Sequence, residues 1–525
     1  MIDAGGGRLP SRVGRRKLAC GRQRESSEIA SRSPIAVAQA MGVAMIRETS
    51  TTRRRLLQAT ALSMLVAAEP RLLGAALTPE KPAAIDPKML RKLGASLRGP
   101  VLTPGDADYD TARQVWNARF DRRPAAIIRC ANADDAARTV DFARKHALPV
   151  SVRAGGHSQA GLSVCDNGLV IDLSQMKTIE VDSARRTARA QPGLTRVEFE
   201  RATQAYGLVT SMGQCQDVGI GGLTLGGGEG ALMSRFGATC DNVMAATIVL
   251  ADGRVLRASP RENADLLWGI CGGGGNLGAV TELHYRLHPL REAVAGWYFY
   301  PFEQTREVLR AWRDYTRSLP DALFTESSVQ RPDGKTLLAT VYVFHSEPER
   351  AEADLAPLLK FGRVLRQSVK RQPYLDAQAA AGFPVVTGLS SMQRSGFVTE
   401  ISDGLIEAIA AAPPPPDADL WFAHLHGEIT RLPQNHNAYH QRRPGYTFWA
   451  EADWEGVEPP PAIQWMEQMW NAARPQCDGV YVNMVDTEPG REREAYGANY
   501  MRLAQLKRKY DPDNFFRANV NVLPA

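Results

Sequence analysis

Two side chains in this sequence can form bonds or carry protons, and both stand beside bare backbone. His157 lies in Arg153-Ala154-Gly155-Gly156-His157-Ser158. Cys215 lies in Gly213-Gln214-Cys215-Gln216-Asp217-Val218-Gly219-Ile220-Gly221-Gly222, which runs on to Leu225-Gly226-Gly227-Gly228. Imidazole and thiol are nucleophiles and proton carriers. Glycine reaches positive φ and lets amide groups approach a ligand with no Cβ in the way. Successive amides in such turns form nests for phosphate oxygens. Either turn alone reads as an ordinary tight turn. Together, one with a histidine and one with a cysteine, they are hard to explain as scaffolding.

The elements around the turns can be read from local signals. Pro149 to Arg153 is a short β-type run, which puts the first turn at a strand end. Asn132 caps a predicted helix reaching His146, with Asp134 and Asp135 in its first turn and Arg144, Lys145 and His146 in its last, as the helix dipole favours. Thr195-Arg196-Val197-Glu198 is a capping box, and Gly207 stops that helix. Thr247–Leu250 and Arg254–Ala258 flank Asp252-Gly253, a hairpin signal. Thr281, Leu283, Tyr285 and Leu287 alternate with polar residues and predict a half-buried strand. Leu77 to Leu97 reads as a linker and a first helix, and Arg502 to Lys509 as a helix near the end. The order is α+β, with no regular βαβ repeat. No glycine turn spells GxGxxG opening a helix, so a Rossmann site is not indicated.

Further pieces follow in a fixed order: Leu169-Val170-Ile171-Asp172-Leu173-Ser174, Asp241-Asn242, Ala251-Asp252-Gly253, Gly272-Gly273-Gly274-Gly275-Asn276-Leu277-Gly278 and Tyr510-Asp511-Pro512-Asp513-Asn514-Phe515-Phe516. With the two glycine turns, this ordered set resembles flavoproteins of the vanillyl-alcohol-oxidase type, in the berberine bridge enzyme-like group. The resemblance runs from about Gly99 to the C-terminus. It implies an α+β fold: a two-subdomain PCMH-type FAD-binding domain plus a substrate domain with an antiparallel sheet covered by helices. The implied layout is an N-terminal extension with an export signal at 1–76, linker and first helices at 77–120, and the FAD domain at 121–292. A substrate domain at 293–490 follows, and a berberine-bridge-type segment at 491–525 returns to the FAD domain.

The same resemblance implies covalent FAD. The backbone of Ala154, Gly155, Gly156, His157 and Ser158 is expected to wrap the pyrophosphate, with His157 bonded to the flavin 8α-methyl. Cys215 stands where part of the family bonds to flavin carbon 6, so a doubly tethered flavin is expected. Val218, Gly219, Gly222, Gly228 and Val280 join the expected cofactor set, as do Asn519 and Asn521 near the isoalloxazine. A valine at the place of Val218 goes with access for dioxygen, which points to an oxidase. Two tethers hold the ring system without walls, so the substrate cleft can be open, and the flavin carries the redox chemistry.

Alcohol oxidation also needs a base for the hydroxyl proton. The family's usual tyrosine falls on Met484, which cannot take one. Tyr481 lies three residues earlier, on the other face if the segment is extended. His436 falls near the place of a glutamate base, and Tyr439 and Glu428 are weaker candidates. Trp421, Trp449 and Trp454 form either a sugar-stacking wall or ordinary core.

The formal charge of +6 comes from the first 55 residues, which hold twelve Lys/Arg against four Asp/Glu; the rest is near neutral and offers no argument for nucleic acid. Thr51-Thr52-Arg53-Arg54-Arg55-Leu56-Leu57-Gln58 precedes a short apolar run, Ala59–Ala68. That is a twin-arginine pattern, too short to span a bilayer. It implies use of the twin-arginine export machinery, a periplasmic or secreted location and no stable membrane anchor. Seven cysteines show no metal spacing. Three readings remain open: an exported oxidase of a sugar, oligosaccharide or secondary-metabolite alcohol using dioxygen; a dehydrogenase with another acceptor; and a flavin-carrying binding protein that has lost turnover.

Overall fold

The computed structural model describes residues 85–332, 334–381, 388–456 and 458–525. The twin-arginine-like segment lies outside these residues. Three sheets carry the fold among the described residues, with a small two-stranded pair beside them.

The first sheet comprises β1 (Val101–Leu102), β2 (Ala126–Arg129), β3 (Val150–Arg153) and β4 (Leu169–Asp172), in the order β1-β2-β4-β3. β4 pairs parallel with both β2 and β3. β2, α1 (Ala133–Lys145) and β3 therefore form one βαβ unit, where no regular βαβ repeat was expected. β4 is buried throughout and β2 up to Arg129, as suits parallel strands covered on both faces. α1 starts where the sequence indicates: the Asn132 side chain accepts the Asp135 N–H at 2.9 Å.

The second sheet is antiparallel. It takes β5 (Ile179–Asp182), β6 (Thr187–Ala190), β7 (Val243–Val249), β8 (Val255–Ala258) and β9 (Ala279–Arg286), in the order β5-β6-β9-β7-β8. Two helices follow β6: α2 (Arg196–Gln204) and the short α3 (Ile220–Gly226). The capping box of α2 is closed. Thr195 Oγ1 accepts the Glu198 N–H at 3.3 Å, and Glu198 Oε2 accepts the Thr195 N–H at 2.8 Å.

The third sheet is eight-stranded and antiparallel among the described residues. Its main strands are β10 (Glu292–Pro301), β11 (Leu323–Gln330), β12 (Leu338–His345), β13 (Ser390–Val398), β14 (Ala418–Leu425) and β15 (Gly445–Trp454), ordered β10-β12-β11-β14-β15-β13. Two short strands, Arg366–Gln367 and Lys370–Pro373, pair with the free edge of β10. One face is covered by α4 (Thr305–Thr316), α5 (Asp403–Ala411) and α6 (Pro460–Ala473), whose Trp312, Leu405 and Met469 pack on Val341, Phe422 and Phe448. Strand side chains alternate between faces. Trp421 and Trp449 consequently point to the other face, while Trp454 joins the helix-covered core. Of the two readings open for these tryptophans, Trp454 takes the core one, while Trp421 and Trp449 lie on the other face.

The C-terminal segment returns to the second sheet through α7 (Tyr500–Tyr510), whose Leu503 and Leu506 share a core with Val520 and Val522. One buried cation secures it. Lys507 Nζ donates to the carbonyls of Asn276 and Phe516, each at 2.7 Å, and pairs with Asp511 at 2.7 Å. Asp511 in turn accepts the Phe515 and Phe516 amides at 2.7 and 2.9 Å. Lys507→Met would leave the buried Asp511 charge unpaired, a loss of about 3–5 kcal/mol. The expected outcome is a clearly lower thermal inactivation midpoint, read by loss of folded protein on heating.

Candidate active site

The two glycine turns meet. Ala154–Ser158 leaves the end of β3, and Gly213–Gly222 runs into α3. A Cβ on Gly155 would stand 2.4 Å from the Gly219 amide nitrogen, and one on Gly219 would stand 2.4 Å from that of Gly155. No side chain fits between them, so both positions must be glycine. The capped start of α2 holds the second turn: Arg196 N donates to Val218 O at 2.9 Å, Val197 N to Gln216 O at 3.1 Å, and Arg196 Nε to Cys215 O at 3.1 Å. Arg196 is itself held by a buried ion pair with Glu200.

Around the joined turns lies a cavity of about 930 Å³. His157 and Cys215 both line it. His157 Nε2 is hydrogen-bonded to Asp217 Oδ2 at 2.9 Å, and its ring stacks on Trp116 with centroids 5.5 Å apart. Nδ1 makes no hydrogen bond among the described residues, so the ring is oriented through one nitrogen only. Burial pushes the Asp217 carboxyl up, but the His157 hydrogen bond and charge outweigh it and leave Asp217 below the usual carboxylate range. Burial and the neighbouring Asp217 charge push the Cys215 thiol up to about 12, so it is protonated at neutral pH.

The opposite wall is the uncovered face of the third sheet. Trp421 and Trp449 are paired across β14 and β15 and lie parallel, with centroids 5.7 Å apart and planes 2° apart. Asp419 and Glu451 are the next pair along, and Asp453 follows on β15. Glu326 comes from β11. Glu229 follows the Gly226-Gly227-Gly228 run and is half-buried; it accepts hydrogen bonds from Tyr439 Oη at 2.8 Å and Thr447 Oγ1 at 2.6 Å. Burial pushes Glu229 up to about 7 against those two bonds. Burial also pushes Glu326 up to about 8, with Gln214 opposing and Glu229 adding to the rise.

The comparisons with known proteins agree with this arrangement. Residues 124–259 match the FAD binding domain family, and residues 480–523 match the berberine and berberine-like family. An FAD-linked oxidoreductase of Dictyostelium discoideum is 30% identical over 439 residues, covering 82% of this chain and 95% of that protein. The chain belongs to the berberine bridge enzyme-like family of FAD-linked oxidoreductases. The (R)-6-hydroxynicotine oxidase of Paenarthrobacter nicotinovorans is also 30% identical, over 82% of this chain and 97% of its own. The crystal structure of 6-hydroxy-D-nicotine oxidase from Arthrobacter nicotinovorans superposes with a TM-score of 0.74 at 29% identity, covering 82% of this chain and 98% of that one. A chitooligosaccharide oxidase shares the fold, with a TM-score of 0.76 at 20% identity over 83% of this chain and 99% of its own.

The cavity fits the FAD of this berberine bridge enzyme-like protein. Gly222 lines it with nothing within 4 Å of where a Cβ would stand, so bare backbone faces the ligand space. Gly156, at φ 74°, completes the first turn in a conformation that side chains rarely adopt. Ser163 Oγ and Asn519 Oδ1 line the cavity, buried and without a hydrogen-bond partner among the described residues. Native proteins rarely leave such groups unmet. Ala154, Gly155, Gly156, His157, Ser158, Cys215, Val218, Gly219, Gly222, Val280 and Asn519 all line this one space.

Other expected residues are placed elsewhere. Gly228 stands behind the lining, where a Cβ would meet Thr239 Oγ1 at 2.1 Å, and its N–H donates to Tyr481 Oη at 2.8 Å. Asn521 is also outside the lining, with its Oδ1 buried and unpartnered. His436 is exposed on a turn closed by its own N–H to Pro433 O at 2.8 Å, away from the cavity. Tyr439 is buried behind Glu229 and reaches the cavity only through it. Tyr481 does line the cavity, together with Met484. The expectation that they face opposite ways fails because Val482–Met484 is a turn of 3₁₀ helix, which brings residues three apart to one side. Burial holds the Tyr481 hydroxyl well above the usual phenol range.

Glu229, Glu326, Asp419, Glu451 and Asp453 were not found from the sequence. The only signal was alternation, as in Trp449-Ala450-Glu451-Ala452-Asp453, which puts large polar residues on one face. Two substitutions separate the turns' structural and ligand-facing roles. Gly222→Val is expected to fold with an unchanged melting temperature of the flavin-free protein but to lose most bound flavin, read from the yellow absorbance. Gly155→Val is expected to fail at folding itself, read as insoluble protein.

Proposed function

We propose that this protein is an oxidase that takes a hydride from the carbon of an alcohol group, in a sugar, oligosaccharide or secondary metabolite, and passes the electrons to dioxygen. Its FAD is attached through both His157 and Cys215, and the protein is exported by the twin-arginine route. The observation that carries the reading is the placing of a fixed histidine and a cysteine on two facing turns at one cavity. Support also comes from the names of relatives and neighbours, a hydroxynicotine oxidase and a chitooligosaccharide oxidase among them. Val218 on the lining suits access for dioxygen. Arg53-Arg54-Arg55 with the apolar run after it supports export.

Bound FAD would accept the hydride. The protein's own work is to orient the alcohol and take its proton. Glu229 is the group best suited: it lines the cavity, and Tyr439 and Thr447 fix both of its oxygens. A base poised near 7 is matched to proton transfer at neutral pH. Tyr481 braces the backbone that carries it, its hydroxyl accepting the Gly228 and Glu229 amides at 2.8 and 3.2 Å.

The proton acceptor must be ionised, so turnover should rise as pH rises through about 7. Stability moves the other way. The unfolded carboxyl loses its proton near its ordinary 4.5 and the folded one only near 7, so the folded state binds more protons between them and is weakened as pH rises. Glu229→Gln is expected to cut kcat by about 10²–10⁴-fold while flavin content stays unchanged, measured as anaerobic bleaching of the flavin by substrate. Hydrogen peroxide equal to substrate consumed under air supports the oxidase. Flavin bleaching without peroxide would replace it with a dehydrogenase.

A further inference from the structure

The wall opposite the glycine turns carries more acid than proton transfer needs. Asp419 and Glu451 are directly opposed across β14 and β15, and Asp453 lies two residues beyond Glu451 on the same face. Like charges in that position repel. Glu326, only 2% exposed, and Glu229 line the same cavity. Among the described residues no lysine or arginine offsets Asp419, Glu451, Asp453 or Glu326. Arg331 is the one lysine or arginine on the lining among the described residues, and its Nη1 is donated to the Pro415 carbonyl at 2.9 Å. Glu326 Oε2 and Asp453 Oδ1 are buried without a hydrogen-bond partner among the described residues.

Such an arrangement costs stability: Asp419 and Glu451 hydrogen-bond to each other and Ser391 to Asp453, but no positive charge among the described residues offsets the three. Neighbouring carboxyls resist ionisation: burial, then repulsion from the carboxylates around them, raises Asp419 (to about 7) and Glu451, and burial raises Asp453 against a Ser391 hydrogen bond. FAD does not account for them either, because its charged part is an anionic pyrophosphate. The carboxyls are not grouped to hold a metal ion among the described residues.

Beside the acids lie aromatic faces. Trp421 and Trp449 form a parallel pair, and Trp297 meets Trp421 edge-on at 5.9 Å and 74°. The Trp421 indole is steered by its Nε1, which donates to Asp419 Oδ1 at 2.7 Å. Indole faces attract cations, and carboxylates pair with them. A flat ring laid on this wall would place an attached positive nitrogen among Asp419, Glu451 and Asp453.

We propose that this end of the cavity recognises a positively charged nitrogen, a protonated amine or quaternary ammonium, carried by a flat ring-containing substrate. The inference rests on reading the cavity as the substrate site of an FAD-linked oxidoreductase and narrows its substrates from neutral alcohols to cationic ones.

The test compares three phenyl probes of similar shape on the flavin-loaded protein, 2-phenylethylamine, benzyltrimethylammonium and neutral 2-phenylethanol, with cellobiose as a neutral sugar. Binding is read by calorimetry and tryptophan fluorescence, and flavin content by absorbance of the same sample. Both cations are expected to bind at least about tenfold more tightly than 2-phenylethanol. The double variant Glu451→Gln, Asp453→Asn is expected to abolish that preference and raise the melting temperature, since it removes repulsion. Equal or weaker binding of the cations, or cellobiose binding tighter than either, would overturn the proposal. A preference untouched by the double variant would also overturn it. Should the variant not fold, the four-probe comparison on the unaltered protein decides alone. A protein that binds the cations but carries no flavin would sink the oxidase reading while leaving the cation site standing, so the two failures are distinguishable.

Discussion

The structure depends on one backbone contact. Gly155 and Gly219 touch with no room for a Cβ on either, and this contact joins the end of the parallel sheet to the start of α3. Each turn belongs to a different subdomain with its own core. Closing them against each other brings His157 within hydrogen-bond reach of Asp217 and turns Cys215 toward the same space. Interactions further out serve that contact. The capping box of α2 fixes the second turn, and Lys507 clamps the C-terminal segment beneath the glycine run at Gly272–Gly278. Backbone placed this closely is stiff, which suits a site that must hold a large cofactor without side-chain rearrangement.

The third sheet supplies the other half. Strand alternation gives it a helix-covered apolar face and a cavity face of tryptophans and carboxyls. Enclosing several carboxyls on one surface is expensive unless a ligand or a proton offsets them. The sheet tolerates it because α4, α5 and α6 bury a large apolar core on the other side. Glu229 links the halves, since its backbone follows the glycine run while its side chain is held by Tyr439 and by Thr447 of β15.

Much of this was legible from sequence because the signals were local. The cap at Asn132, the capping box at Thr195 and the strand at β9 depend on a few neighbouring residues, and all stand in the structure. The glycine turns were legible because a bare-backbone contact admits few other residues. What the sequence hid was long-range. That Asp419 faces Glu451 depends on the pairing of strands about thirty residues apart. The lone βαβ unit was missed because β4, which completes it, comes later in the chain. Tyr481 and Met484 would face opposite ways only in an extended segment, and the segment is a 3₁₀ turn instead. His436 was judged by local matching, which carries no information on burial; the Pro433 turn keeps it at the surface.

The most direct test of the central claim is the mass of the flavin-bearing peptides after denaturation in acid and proteolysis. The account predicts FAD retained on peptides containing His157 and Cys215, linking the two turns that the glycine contact brings together. Flavin on the His157 peptide alone would make Cys215 a structural residue and contradict the double tether. Flavin released entirely, from protein that was yellow before denaturation, would contradict covalent attachment at either turn.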